Sequence, residues 1–426
     1  MMFELRTIVG GVATLSFLTF ITLFGQVPAL RNTPVGLLHR LIWVHVPQRV
    51  RHADACLTGG RLGPLCLGVG HHLMNEKHPL ILTFFLTLLV ACEVIYLPSA
   101  WSRVSAIHHW LIPPLCAIPY LTIYLAVTSD PGVITPANHA AAMRLYPYDY
   151  IMFRPGLRCV TCNLLKPARS KHCRICKRCI SRDDHHCVWI NNCVGGGNHH
   201  YFLLVLLSTS VLATYAACVT QALLSDLLAS SSPLPRHRAP SDGGSRAVPS
   251  AMSAHWSAGL SWSDYANAWG WAVVQDTRVG TVGLLCLLCA PLAWGLLLFH
   301  LYLIWAGTTT NESAKWADWK DDIADGLVFK AKRSRIEELA RGGRSSAMSP
   351  DDEFQAPLVN WPRSTDQILQ VNESGHPPSS PGQVGGGRGD ASPWTPVKSL
   401  REVDNIYDLG FWANLKDIFL SRGGWG

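Results

Sequence analysis

Residues 159–202 read Cys159-x2-Cys162, then His172-Cys173-x2-Cys176-x2-Cys179, then Asp184-His185-His186-Cys187, then Cys193, Asn198 and Phe202. Seven of the 14 cysteines lie between Cys159 and Cys193, and apolar segments flank the stretch on both sides. Structural zinc takes four Cys or His ligands, commonly in closely spaced pairs. Setting one Cys and one His aside leaves six cysteines and two histidines, the complement of two Cys3His sites. The spacing offers an interleaved pairing: Cys159, Cys162, His172 and Cys179 in one set, Cys173, Cys176, His186 and Cys193 in the other. Each set opens on a Cys-x2-Cys hook, whose turn points two sulfurs at one ion. Metal binding contributes about 10 kcal/mol or more to the folding of such modules, which have little core of their own. A disulfide cluster is the competing reading. It needs an oxidising compartment, and seven cysteines cannot all pair.

The pair set aside is Cys187 and His185. A thiol is mostly protonated at neutral pH, with a pKa of about 8.5. An adjacent imidazole takes that proton, and a carboxylate holds the imidazole in the right tautomer. Asp184, His185 and Cys187 are those three group types within four residues. Thiolates attack thioesters readily, because one thiolate replaces another. On the residues alone a second reading stands beside this one, with Cys187 a spare ligand and His185 a surface residue.

The whole pattern, Cys-x2-Cys-x9-His-Cys-x2-Cys-x2-Cys-x4-Asp-His-His-Cys-x5-Cys-x4-Asn-x3-Phe, resembles the DHHC protein S-acyltransferases over Cys159 to Phe202. That resemblance implies that Cys187 accepts a fatty acyl group from acyl-CoA, palmitoyl-CoA in the first instance, and passes it to a substrate cysteine. It implies His185 as base and Asp184 as the group that orients it. It also implies the interleaved assignment of two structural zinc ions, with His186 a ligand rather than a catalyst.

Composition points to a membrane. Of 426 residues 48% are hydrophobic and only 15% charged, against about 25% charged in a soluble domain. Mean hydropathy is +0.16. The net charge of +7 is modest and forms no long basic run, which argues against nucleic acid as a partner. Apolar runs fall at about Thr7–Leu30, Leu80–Leu97, Ile107–Val127, Tyr201–Leu224 and Val279–Trp305. Each has roughly the 20 residues a bilayer requires. The first is long for a signal-peptide core, which favours a span. The expected fold is an all-α integral membrane protein of about five transmembrane helices, with a Cys-rich two-zinc domain inserted between the third and fourth. The domains are then 1–128 with three spans, 129–200 with the zinc sites, 201–306 with two spans and a luminal loop at 229–277, and a tail at 307–426.

Lys and Arg decide the orientation. Ten of them lie between Asp130 and His200, one in the Pro98–Ser105 link, and the 225–278 loop is nearly balanced. The Cys-rich domain and the C-terminus are therefore cytosolic, where thiols stay reduced and acyl-CoA is supplied. Glu93 and His300 fall inside apolar runs. Ionisable residues there are costly and often functional, although both sit close enough to a span end to reach headgroups.

Asp130-Pro131-Gly132 after the third span is a turn signal, and it resembles the family's Asp-Pro-Gly motif. Thr309-Thr310-Asn311-Glu312 after the fifth has helix-capping residues and resembles the family's Thr-Thr-x-Glu motif, which implies packing near the active site. Lys166, Arg169, Lys171, Arg174, Lys177, Arg178 and Arg182 suit anionic headgroups or CoA phosphates, or form a solvated cationic face. His200 stands where the family usually has arginine. In the tail, 342–396 is rich in Gly, Ser and Pro and is expected to be a disordered linker. Residues 403–419, with Asn405 and Tyr407, turn apolar and aromatic again. They resemble the family's C-terminal motif, which implies docking against the core.

The five-span layout and the Leu165–Cys173 run resemble a fungal branch of the family. This implies the endoplasmic-reticulum membrane, with the Golgi the alternative. It also implies substrates that are membrane proteins with cysteines next to their spans, SNAREs among them. A reading of a different class is a membrane-anchored zinc module that binds a partner without turnover. Acyl-thioester on Cys187 separates the two.

Overall fold

The computed structural model describes residues 33–231, 262–341, 361–378 and 392–419, with Leu18 and Ile21. Helix α1 (Pro34–Arg40) passes through a π-helical turn at Leu41–His45 into α2 (Val46–Thr58), and α3 (Leu62–Asn75) follows. Next come α4 (Leu80–Ala100) and α5 (Ala106–Thr128), then β1 (Val133–Ile134), α6 (His139–Met143), β2 (Lys171–Cys173), β3 (Arg178–Ile180), β4 (His185–Cys187) and β5 (Asn192–Val194). The chain continues through α7 (His199–Ser231), α8 (Trp262–Gln275), α9 (Thr277–Trp305) and α10 (Thr310–Ala324). The tail holds β6 (Val328–Lys332), α11 (Arg333–Arg341), β7 (Gln367–Val371), β8 (Thr395–Pro396) and α12 (Phe411–Phe419).

Among the described residues four helices, α4, α5, α7 and α9, are long and apolar enough to cross a bilayer. The run Thr7–Leu30 expected as a fifth span lies outside the described residues, Leu18 and Ile21 apart, so the count established here is four. Proline interrupts α5 at 113, 114 and 119 without ending it. Thr122 Oγ1 donates to the Pro119 carbonyl at 3.0 Å and sits 3.1 Å from Ser208 Oγ on α7.

The expectation of an all-α chain needs correction. Three small antiparallel sheets are present, in strand orders β1-β3-β2, β4-β5 and β7-β6-β8. The first two carry the metal ligands. The Cys173-x2-Cys176 hook reverses the chain between β2 and β3, and Val188-Trp189-Ile190-Asn191 reverses it between β4 and β5. Their register sets His172 opposite Cys179 and His186 opposite Cys193, the last two members of each expected ligand set. The linker reading of 342–396 is also corrected at 361–378 and 392–396. There Gln367–Val371 pairs along its whole length with β6, and Thr395–Pro396 pairs on the other side. Leu369 is fully buried in a cluster with Val328, Ile323, Ile151 and Val397, so one strand with a single anchoring leucine is ordered within the polar composition around it.

The chain divides into two compact units. One comprises 1–76, 95–103 and 218–284. Within it α8 buries Ala268 and Ala272 against Leu224 and Leu228 of α7, with Trp269 and Trp271 packed on the same cluster. Arg103 pairs with Asp276. The other unit comprises 77–94, 104–217 and 285–426 and contains both Cys/His sets. Its main core joins Ile123 and Ala126 of α5, Phe202, Leu203 and Leu206 of α7, and Leu297 and Ile304 of α9 with Cys187, Ile190 and Val194.

Candidate active site

Both ligand sets close in space. Within each, one ligand atom per residue lies within 4.8 Å of the others. His172 Nδ1 is 3.5, 3.3 and 3.8 Å from the sulfurs of Cys159, Cys162 and Cys179. His186 Nδ1 is 3.7, 3.4 and 3.6 Å from those of Cys173, Cys176 and Cys193. A tetrahedral zinc with bonds of about 2.3 Å to sulfur and about 2.0 Å to nitrogen sets its ligand atoms about 3.5 Å apart. The donor types and the separations fit such an ion in both clusters.

Cys187 belongs to neither cluster. It is 5% exposed, at the end of β4, with its side chain in the main core. His185, two residues back on the same strand, is held by Asp184: Nδ1 lies 2.6 Å from Oδ2. Burial opposes a charge on His185, but the Asp184 hydrogen bond, and after it Cys187, push its pKa up to about 10. Asp184 is almost fully buried. Burial alone would raise its pKa, yet the hydrogen bond from His185 and the charge of that imidazole hold it far below the usual carboxylate range. A charged imidazole on an ionised carboxylate, two residues from a thiol on the same face of the strand, has the parts that thiol-based acyl transfer needs.

The other expected motifs converge here. Thr310 donates twice to Asp184, from its backbone N to Oδ1 at 2.8 Å and from Oγ1 to Oδ2 at 2.9 Å. Thr309 caps α10 with a reciprocal capping box to Glu312 and donates from Oγ1 to the Asp183 carbonyl at 3.1 Å. Asp130 Oδ1 accepts from Gly132 N at 2.9 Å and Val133 N at 2.8 Å, closing the Asp-Pro-Gly turn over Pro131. Gly132 takes φ +98°, and the Gly197 backbone presses on this turn so closely that a Cβ would collide with the Asp130 carbonyl oxygen. Asn192 Nδ2 donates to the carbonyls of Ala126, Val127 and Ser129 at the end of α5. Asn405 Nδ2 donates to the Ala306 carbonyl at 3.2 Å, and Tyr407 Oη donates to the Pro147 carbonyl at 2.7 Å.

Several basic residues are not free for phosphate. Arg169, 2% exposed, forms a two-pronged pair with Glu312, both contacts 2.7 Å, and lies over the Tyr407 ring at 4.5 Å. Arg182 faces Asp417 at 3.3 Å. Lys171 donates to Asn311 Oδ1 at 2.7 Å. No local pattern announces the Arg169–Glu312 pair, because 143 residues separate its members. His300 does not reach headgroups: it is 2% exposed and packs beside Asp184. Glu93 accepts from Tyr120 Oη at 3.0 Å, and His200 packs on Tyr201 and Phe419. Trp189, half exposed, sets its edge on Phe85 at 5.8 Å.

Helices of bilayer length around a buried thiol define the class, an integral-membrane acyl-transfer enzyme. Known proteins bear on which one. Residues 154–317 match the family model described as DHHC palmitoyltransferase. The palmitoyltransferase swf1 of Emericella nidulans is 44% identical over 426 residues, covering 97% of this chain and 97% of that protein. Palmitoyltransferase SWF1 of Neurospora crassa is 40% identical over 95% of this chain and 90% of that one. Mouse palmitoyltransferase ZDHHC4 is 34% identical over 44% of this chain and 59% of its own length. The chain belongs to the DHHC palmitoyltransferase family and is a protein S-acyltransferase.

Proposed function

We propose that Cys187 is the acyl-carrying nucleophile and palmitoyl-CoA the donor. The observation behind this is that six of the seven clustered cysteines lie in the two Cys/His sets, whereas Cys187 is left over beside the Asp184–His185 pair. The Cys187 thiolate attacks the thioester carbonyl, and the tetrahedral intermediate collapses, expelling CoA thiolate. That leaving group takes the proton held by His185. In the second half His185 accepts the proton of a substrate cysteine, whose thiolate attacks the acyl group and releases Cys187 as thiolate. Asp184 keeps His185 oriented through both halves. The two Cys3His clusters hold zinc in this reading, and its part is structural: it fixes β4 and the thiol on it.

The acyl chain lies among the apolar side chains of α5, α7 and α9 that surround Cys187. At about 0.8 kcal/mol per buried methylene, a 16-carbon chain favours such surroundings by on the order of 10 kcal/mol. Donor and acceptor thiols then meet at one interface, which lowers the entropic cost of their encounter. Substrates are membrane proteins with cysteines next to their spans. The likeness to the fungal branch supports SNAREs among them and residence in the endoplasmic-reticulum membrane, with the Cys-rich domain and tail cytosolic. In the test, purified protein is incubated with labelled palmitoyl-CoA. Hydroxylamine-sensitive label is expected on the parent and not on Cys187→Ser, with folded yield and metal content retained. Label persisting on that variant sinks the assignment.

A further inference from the structure

Two more histidines approach the Asp184 carboxylate. His300, on α9, has Nδ1 4.0 Å from Asp184 Oδ2. Its ring centroid is 5.8 Å from that of His185, 5.0 Å from Phe202 and 5.9 Å from His199. His300 Nδ1 has no hydrogen-bond partner among the described residues. His199, at the start of α7, is 3.1 Å through Nδ1 from Arg182 Nη1. A guanidinium only donates, so His199 Nδ1 accepts and its proton sits on Nε2, which is also without a partner. Around His300, then, stand Asp184, His185 from β4 and His199 from α7, with Arg182 behind His199.

An imidazole this deep in a membrane-length helix is costly unless it is used, and a buried nitrogen without a partner adds to that cost. The nearest acceptor is the carboxylate. Asp184 already takes the His185 N–H and two donors from Thr310. The His185 N–H and the Thr310 hydroxyl both go to Oδ2 and only the Thr310 N–H goes to Oδ1, so Oδ1 keeps a lone pair for a donor from α9. Hydrogen bonds of a catalytic group are often long before substrate binds and tighten in the complex.

Resting on the reading of Asp184, His185 and Cys187 above, we infer that His300 is a positioning residue: its Nδ1–H holds the Asp184 carboxylate from the α9 side, so that Asp184 keeps His185 aimed at the Cys187 sulfur.

The test compares two variants of the full-length protein. His300→Phe keeps ring volume and the packing on Phe202 but has no donor. His300→Asn keeps a donor and gives up volume. Cys187 acylation is followed against palmitoyl-CoA concentration, and Cys187 alkylation by iodoacetamide is followed without donor. The Phe variant is expected to lose about ten-fold in maximal acylation rate, the scale of one hydrogen bond to a charged group. Its half-saturating donor concentration and its metal content should be unchanged, and its alkylation should slow in parallel. The Asn variant should retain more of both rates than Phe. The inference is overturned if Phe matches the parent, if the rates follow ring volume so that Phe exceeds Asn, or if both variants lose metal and melt early. Label missing from the parent itself would strike the nucleophile assignment, and this inference with it. Label on the parent with an indifferent Phe variant strikes His300 alone.

Discussion

Arg169 has its guanidinium fork matched to Glu312, its face on two tyrosine rings and a further bond from Nη2 to the Gly307 carbonyl at 3.3 Å. Removing one partner of a buried pair leaves an uncompensated charge, at a cost of about 3–5 kcal/mol. Arg169→Ala should therefore fail to accumulate folded protein. Arg169→Lys should melt well below the parent, since an ammonium cannot make the fork. A thermal scan in detergent distinguishes both from an indifferent surface change. Asp149 is a different buried carboxylate. Its Oδ1 accepts from the backbone N–H groups of Ile151, Met152 and Phe153 at 3.0, 3.1 and 2.8 Å. Burial nonetheless pushes its pKa up to about 6 from 3.8. The folded protein thus holds this proton more tightly than the unfolded chain. The stability it contributes is full below about pH 4 and is lost as pH rises through about 6. Asp149→Asn, which keeps the oxygen acceptor, should gain melting temperature over the parent at pH 7.5 and little at pH 4.5. A gain confined to low pH would show that the three N–H donors outweigh burial.

At the scale of elements, α10 is the piece that joins the motifs. Its capping box satisfies its own first turn, and the same residues hold Asp183 and Asp184. Thr309→Ala should cost about 0.5–2 kcal/mol of stability as a cap. Thr310→Val spares the cap and should instead lower the acylation rate with little change in melting. This was partly legible in sequence: Thr-Thr-Asn-Glu signals a helix start by residue type alone. The two ligand sets were legible for a related reason, since every ligand lies within 35 residues and the hooks act locally. What His300 faces was not legible, because a histidine in an apolar helix looks the same whether it meets solvent or a carboxylate brought from the residue before β4. Strand β7 was hidden by averaging, its Ile368 and Leu369 diluted by the Gly and Ser around them. The basic residues misled for the same reason as His300: Arg169 and Lys177 are alike in sequence, and only tertiary contact separates a buried ion pair from a free cation.

Across the whole molecule, orientation is the largest proposal that remains open to a direct measurement. Asn311 and Asn372 both sit in glycosylation sequons. Asn311 is buried at 9% and accepts from Lys171, which leaves Asn372 as the reporter. With a cytosolic tail Asn372 stays bare, and a sequon engineered into 232–261 should acquire a glycan that a glycosidase removes. The reverse pattern would put the thiol on the wrong side for acyl-CoA. The tail also reaches back to the site. Tyr407 lies under Arg169, Asp417 faces Arg182, and Asn414 Nδ2 donates to the Ile304 carbonyl at 2.9 Å at the end of α9. Since these contacts come from segments made well after the thiol and its metal ligands, a ribosome that has reached only α9 has an unfinished enzyme in front of it. Activity waits for that segment, and a stop or a proteolytic nick before Asn405 should leave a chain with every metal ligand and the thiol in place that turns over poorly, if at all.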